Sequence, residues 1–162
     1  MRFYHIKCPI HNQTFTVKSI RKWVEAVCEG RTLNLFSGGT VLEIDEVRND
    51  IDRSVMAEYH YEALEFMNIA INSGMTFSTI LLDPPYSYRK SIEYYNGNRN
   101  SKFKLIKDLI PKVLVKNGIV VTFGYHSVSM GTNRGFKLEG IAIFSHGGAI
   151  HDTIASVERF IK

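Results

Sequence analysis

Apolar residues in this chain first recur at helical spacing: Val17, Ile20, Val24, Val27 and Cys28 predict a helix with Thr16 as its cap and Gly30 as its stop. From Arg31 to Phe36 the pattern changes to β-rich alternation, a strand that runs into the small-residue loop Ser37-Gly38-Gly39-Thr40. A second apolar-edged run spans Val47 to Asp52. Leu64, Met67 and Ile71 share one face of a helix expected from Glu62 to Ser73 and closed by Gly74. The continuous apolar stretch Thr79 to Leu82 then predicts a buried strand ending at Asp83. Lys102 to Lys116 reads as a helix kinked at Pro111 and stopped at Gly118, and Ile119 to Phe123 as the next buried strand. Lys137 to Phe144 and Asp152 to Phe160 flank Gly147-Gly148, the pattern of an antiparallel pair. Buried strands alternating with helices predict one α/β domain over residues 1–162, doubly wound, with a mostly parallel sheet and a C-terminal antiparallel hairpin. Only ten residues separate Phe36 from Val47, too few for an ordinary parallel crossover, so the first crossover helix is expected to be shortened or absent.

The densest candidate chemistry follows the Thr79–Leu82 run, at Asp83-Pro84-Pro85-Tyr86. Each proline fixes its own φ and pushes the preceding residue into extended geometry, so Asp83 leaves the strand on a stiff loop. Neither has an N–H, which leaves a carbonyl in this turn able to accept from a ligand. A carboxylate and such a carbonyl can take the two hydrogens of an exocyclic amine, while Tyr86 stacks on the ring that bears it. Asp-Pro and Pro-Pro pairs also mark plain strand-ending turns. The glycines at 38 and 39 let a ligand approach the backbone, although hairpins use the same pair. A glycine loop after one strand, an acid after the next and Asp83 after a later one put ligand groups at the carboxyl ends of parallel strands.

Leu33 to Gly39 (LNLFSGG) followed by Leu81 to Tyr86 (LLDPPY) resembles the class I S-adenosylmethionine-dependent methyltransferases that modify nucleobase amines, and among them the adenine-directed DNA enzymes. The resemblance covers roughly residues 14–160 and implies a Rossmann-like fold. It implies that Phe36, Ser37, Gly38 and Gly39 surround the methionine part of the cofactor, with Asn34 on its ammonium and Thr16 near the same end. Asp52 falls where the family binds the ribose hydroxyls, with Asp50 as a rival, and Glu62 falls near the acid that contacts the cofactor's adenine; an acid in a first helical turn also has a plain structural use. Two positions depart from the family pattern: Thr40 replaces a third glycine and Asn34 replaces an acid.

The polar stretch Ser87 to Ser101 lacks helical periodicity and interleaves Tyr88, Tyr94 and Tyr95 with Arg89, Lys90 and Arg99, a pattern suited to stacking on bases and pairing with phosphates. A solvated loop is the plainer alternative for the same stretch. Tyr125 and His126, after the next strand, are candidates to line the base pocket. The net charge of +4 favours a polyanionic partner. Cys8 and Cys28 are too few for a disulfide scaffold. Neither follows a proline, as the thiol of a cytosine carbon-5 enzyme typically does. His5, Cys8, His11 and Cys28 could be spaced as zinc ligands, but a short strand and turn with incidental histidines is the better reading, and no metal is expected. No Gly-Lys-Ser/Thr run follows the glycines, which argues against a P-loop enzyme.

With no membrane-length apolar stretch and no signal pattern at the amino terminus, the expectation is a cytoplasmic protein. The expected activity is transfer of a methyl group from S-adenosylmethionine to a nucleobase amine, adenine N6 in DNA before guanine N2 or adenine N6 in RNA. Asp83, Pro84, Pro85 and Tyr86 would be its catalytic residues. A cofactor- or nucleic-acid-binding module without turnover is the other class. Target specificity would come from the 87–101 loop, a separate specificity subunit or a second copy of the chain.

Overall fold

The computed structural model describes residues 1–85, 102–148 and 151–162. Its elements in chain order are β1 (Arg2–Lys7), α1 (Lys18–Val27), β2 (Thr32–Asn34), β3 (Glu46–Arg48), α2 (Ala63–Asn72), β4 (Phe77–Leu82), α3 (Lys102–Leu109), β5 (Leu114–Gly124), β6 (Phe136–Ser145) and β7 (Thr153–Phe160). The strands form one sheet in the order β1-β6-β7-β5-β4-β2-β3. β3, β2, β4 and β5 are mutually parallel, whereas β7 runs antiparallel to both β5 and β6. The expected C-terminal hairpin is therefore present. So is the expected shortcut: the chain crosses from β2 to the parallel β3 with no helix between them.

Alternation along the central strands sorts the core into two layers. Ile80 and Leu82 of β4 and Val120 of β5 pack with Phe66, Met67, Phe103 and Ile106 from α2 and α3. Leu81, Val121 and Phe123 face the other way, onto Ile20, Trp23 and Val24 of α1. The Trp23 ring meets those of Phe123 and Phe144 edge-on, at 6.1 and 5.5 Å between centroids. Helices on both faces make the sheet doubly wound, and no helix among the described residues is long and apolar enough to cross a membrane.

Four element boundaries differ from expectation. Thr16 does not cap α1: Thr14–Thr16 is a 3-10 turn, and extended Val17 precedes the helix without any side-chain cap. α1 also ends before Gly30, which instead makes a turn at φ +54°, where a Cβ would lie 2.8 Å from Ser78 Oγ. The helix from Lys102 stops at Leu109, and Pro111 opens a 3-10 turn. The residues after it already belong to β5, where Gly118 fits so tightly against Leu114 and the Ser78 carbonyl that a Cβ would approach them to 2.8–2.9 Å. The run Val47 to Asp52 shortens to β3: Asn49 still donates its N–H to the Asn34 carbonyl of β2, but the Asp50 N–H turns to the Tyr59 carbonyl, away from β2.

At the amino ends of the central strands, Arg159 of β7 donates to Glu29 at 2.8 Å, to Glu139 at 2.8 Å and to the Asn117 carbonyl at 2.6 Å. The hydrogen bond from Arg159 holds the Glu29 carboxyl below its ordinary range. A carboxyl whose folded pKa is depressed adds stability above its unfolded pKa and loses it as pH falls through the folded one. We expect Glu29→Gln to be less stable than wild type at neutral pH, with the gap closing below about pH 4. Urea unfolding across a pH series checks this, and a gap independent of pH would refute it.

Candidate active site

The chain leaves β2 for β3 on one side and returns to β4 on the other, so the carboxyl ends of β2 and β4 diverge at a switch point, where open α/β sheets bind ligands. A cavity of about 610 Å³ opens there. Its lining includes Leu35 to Thr40 after β2, Asn49 to Ile51 after β3, Tyr61 to Ala63 at the start of α2, and Asp83, Pro84 and Pro85 after β4. Tyr125 after β5, Ile10 to Phe15, Val17, Ile20, His146 and Thr153 complete the wall. Its size suits a cofactor or drug-sized molecule.

The glycine loop is held from two directions. Asp50 accepts the Gly38 N–H at 2.8 Å, and Gly38 sits at φ +59°, a conformation that would strain any residue with a Cβ. Arg48, at the end of β3, donates to the Gly38 carbonyl at 2.6 Å and to the Thr40 carbonyl at 2.8 Å. The Arg48 and Glu46 side chains are 5% and 3% exposed and pair at 3.3 Å, so this clamp is a buried ion pair. Glu46 in turn accepts from the Asn34 amide at 2.7 Å and from the Leu42 N–H at 3.1 Å. No crossover helix organises this loop; two side chains of the neighbouring strand do so instead. Asn49 fixes the floor, bonding the Leu35 carbonyl at 3.2 Å and both backbone groups of Tyr61 at 3.1 Å.

Among the described residues, most of those singled out from the sequence converge here. Phe36, Ser37, Gly38, Gly39, Glu62, Asp83, Pro84, Pro85 and Tyr125 all line the cavity. Glu62 caps α2, accepting the Leu64 N–H at 3.0 Å through one oxygen, while its other oxygen is buried with no partner among the described residues. The Ser37 hydroxyl is likewise buried and unpartnered. Of the two acids offered for a ribose, Asp50 lines the cavity; Asp52 is exposed and turned onto Ser54, whose hydroxyl and N–H lower its pKa. Asn34 lies outside the lining, its amide nitrogen engaged by Glu46. The Thr16 hydroxyl meets that of Thr40 at 3.1 Å, and Thr14 and Phe15 reach the cavity in its stead. His126 is exposed and away from the lining. Tyr86, Tyr88, Arg89, Lys90, Tyr94, Tyr95 and Arg99 lie outside the described residues.

Sequence reasoning missed Glu46, Arg48, Asn49, Tyr61, His146 and Thr153. A charged pair spaced by two residues in a strand, as Glu46 and Arg48 are, was the one available signal, because both side chains then share a face. The suggested zinc ligands do not gather: among the described residues no group of three or more His, Cys, Asp or Glu side chains could hold a metal. Burial pushes the Cys28 thiol up to about 12, and Cys8 lies 3.7 Å from His146.

No family model matches this chain, and no curated protein matches it in sequence. Solved structures do. A Streptococcus mutans protein assigned as a SAM-dependent methyltransferase superposes with a TM-score of 0.55 at 12% identity, over 87% of this chain and 48% of that one. The chain has the methyltransferase fold. A second structure, assigned as a methyltransferase and solved with S-adenosylhomocysteine, gives a TM-score of 0.59 at 11% identity over 92% of this chain and 50% of that one. A Haemophilus influenzae protein assigned as a methylase gives 0.53 at 12% identity over 90% and 88%. The chain thus spans about half the length of the first two and nearly all of the third.

Proposed function

We propose that this chain binds S-adenosylmethionine at the glycine loop and transfers its methyl group to an exocyclic nucleobase amine presented to Asp83 and Pro84, with adenine N6 in DNA as the substrate. The observation that carries this reading is the meeting of Asp83-Pro84-Pro85 with the loop Phe36–Gly39 and Asp50 in one cavity. The charge of the lining supports it. Asp50, Glu62 and Asp83 contribute to the lining and no Lys or Arg does, among the described residues. Such a site favours a ligand carrying positive charge and disfavours the pyrophosphate of a dinucleotide. Ser37 and Glu62 each offer the cavity's ligand a buried polar atom that no described residue satisfies.

When bound, the cofactor supplies a methyl group on a positively charged sulfur. The protein's part is positioning. Asp83 and the Pro84 carbonyl accept the two amine hydrogens, which favours a pyramidal nitrogen with its lone pair released from the ring, and Asp83 can take the proton that the methylated amine must lose. Asp50 and Glu62 hold hydroxyl and amine donors of the cofactor, and Tyr86 stacks on the base.

Calorimetric titration with S-adenosylhomocysteine should show binding, and radiolabelled methyl transfer onto DNA and total RNA, with the modified nucleoside identified, should give N6-methyladenine in DNA. Label appearing only in RNA would move the substrate to that class. Binding without transfer would favour a module that has lost turnover, a reading prompted by Asn34, which stands where the family carries an acid and gives its amide nitrogen to Glu46. No binding by the folded protein would refute the reading altogether.

A further inference from the structure

We propose that the open groove beside the cavity, lined by Lys18 and Lys22 of α1 with His11, Thr16 and Ser19, holds the phosphodiester backbone of the nucleic-acid substrate. This rests on the nucleobase reading above. The groove, of about 560 Å³, shares Ile10, His11 and Val17 with the cavity, so the two are continuous. Their linings carry opposite charge. The cavity has three carboxylates and no Lys or Arg; the groove has two lysines and no carboxylate. A nucleotide polymer is divided the same way, with a neutral base bearing amine donors on one side and a polyanionic backbone on the other. A base seated at Asp83 would leave its flanking phosphates at the cavity mouth.

The two lysines have no structural use that explains them. Neither makes an ion pair or hydrogen bond with any described residue. Lys18 opens α1, where a cation opposes the helix dipole, and the first turn carries neither an acid nor a side-chain cap to offset it. Lys22 follows four residues later on the same face, so the two like charges repel. The arrangement costs the isolated helix stability and gives a phosphate two cations together.

The test is K18E/K22E, with a short fluorescein-labelled single-stranded DNA titrated by anisotropy across a salt series. K18E places an acid in the first turn, where the helix dipole favours it, and K22E places a good helix former at an exposed position, so the variant should melt close to the wild-type temperature and bind S-adenosylhomocysteine as wild type does. DNA affinity at low salt should fall at least about tenfold, and the slope of log K against log salt should lose about 1.4, the share of two phosphate contacts on a single strand. K18R/K22R should keep both wild-type values. Unchanged affinity and slope in K18E/K22E, with a wild type that methylates DNA, would overturn the groove and leave the functional reading standing. A wild type that binds the cofactor product but no nucleic acid would overturn both the groove and the nucleobase substrate. Failure to bind S-adenosylhomocysteine would strike the functional reading, while the DNA titration would still judge the groove.

Discussion

Asp83→Ala is expected to lower methyl transfer about 10²- to 10⁴-fold while S-adenosylhomocysteine binds within about threefold of wild type. The asymmetry follows from place. Asp83 follows β4 and shares the cavity with the glycine loop, while the Gly38 and Thr40 backbone of that loop is held from the β3 side, by Arg48 and by Asp50 just after the strand. Removing the carboxylate therefore leaves the cofactor half intact and takes away the acceptor that orients the amine and receives its proton. Asp83→Asn sharpens the test, because it keeps the shape and an acceptor oxygen but cannot take a proton. If orientation dominates, Asn recovers part of the rate; if proton acceptance dominates, it recovers none. Single-turnover assays with labelled cofactor, beside calorimetry on the same preparations, measure both quantities. Equal loss of binding and turnover would instead place Asp83 in the cofactor site.

Arg48→Met is expected to cost about 3–5 kcal/mol in unfolding free energy, because it strands the buried Glu46 carboxylate without its cation. It should also weaken S-adenosylhomocysteine binding by at least about tenfold, since the Gly38 and Thr40 carbonyls lose the group that sets the loop. The double variant Arg48→Met with Glu46→Leu separates the two effects. Removing both charges lifts the penalty for an unpaired buried charge, so most of the stability should return. Affinity should not, because no other group replaces the guanidinium on those carbonyls. Urea denaturation and calorimetry give the two readouts, and a double variant that regains affinity along with stability would show that the clamp does not position the loop.

Both predictions turn on how this fold manages without a crossover helix between β2 and β3. The ten-residue gap from Phe36 to Val47 made that absence legible in the sequence, because chain length sets a minimum on any parallel crossover. What takes the helix's place was not legible. Glu46 and Arg48 are two charged letters at the edge of an apolar run, and strand statistics would send them to solvent. Only the parallel register that sets Asn34 beside Arg48 and Thr32 beside Glu46 brings them under the glycine loop, where each charge satisfies the other.

The same division runs through the candidate site. Periodicity, the proline pair and the glycines determined the order of strands and helices, the antiparallel hairpin and the placement of Asp83 and Gly38 at strand ends, because these depend on local backbone sterics and a period of two or 3.6. Asp50 and Asp52 could not be separated that way. Both belong to the same apolar-edged run at the same parity, and the choice falls on how the chain turns after β3: the Asp50 N–H goes to the Tyr59 carbonyl and its carboxylate accepts the Gly38 N–H, while the Asp52 carboxylate turns onto Ser54. Thr14 replaced Thr16 at the cavity for a similar reason, a 3-10 turn whose pitch no helical periodicity anticipates. The sequence by itself determined which chemical groups stand at the ends of which strands. The tertiary structure decided which of them share a cavity, which are consumed by neighbours and where charge is segregated, since those depend on contacts between segments far apart in the chain.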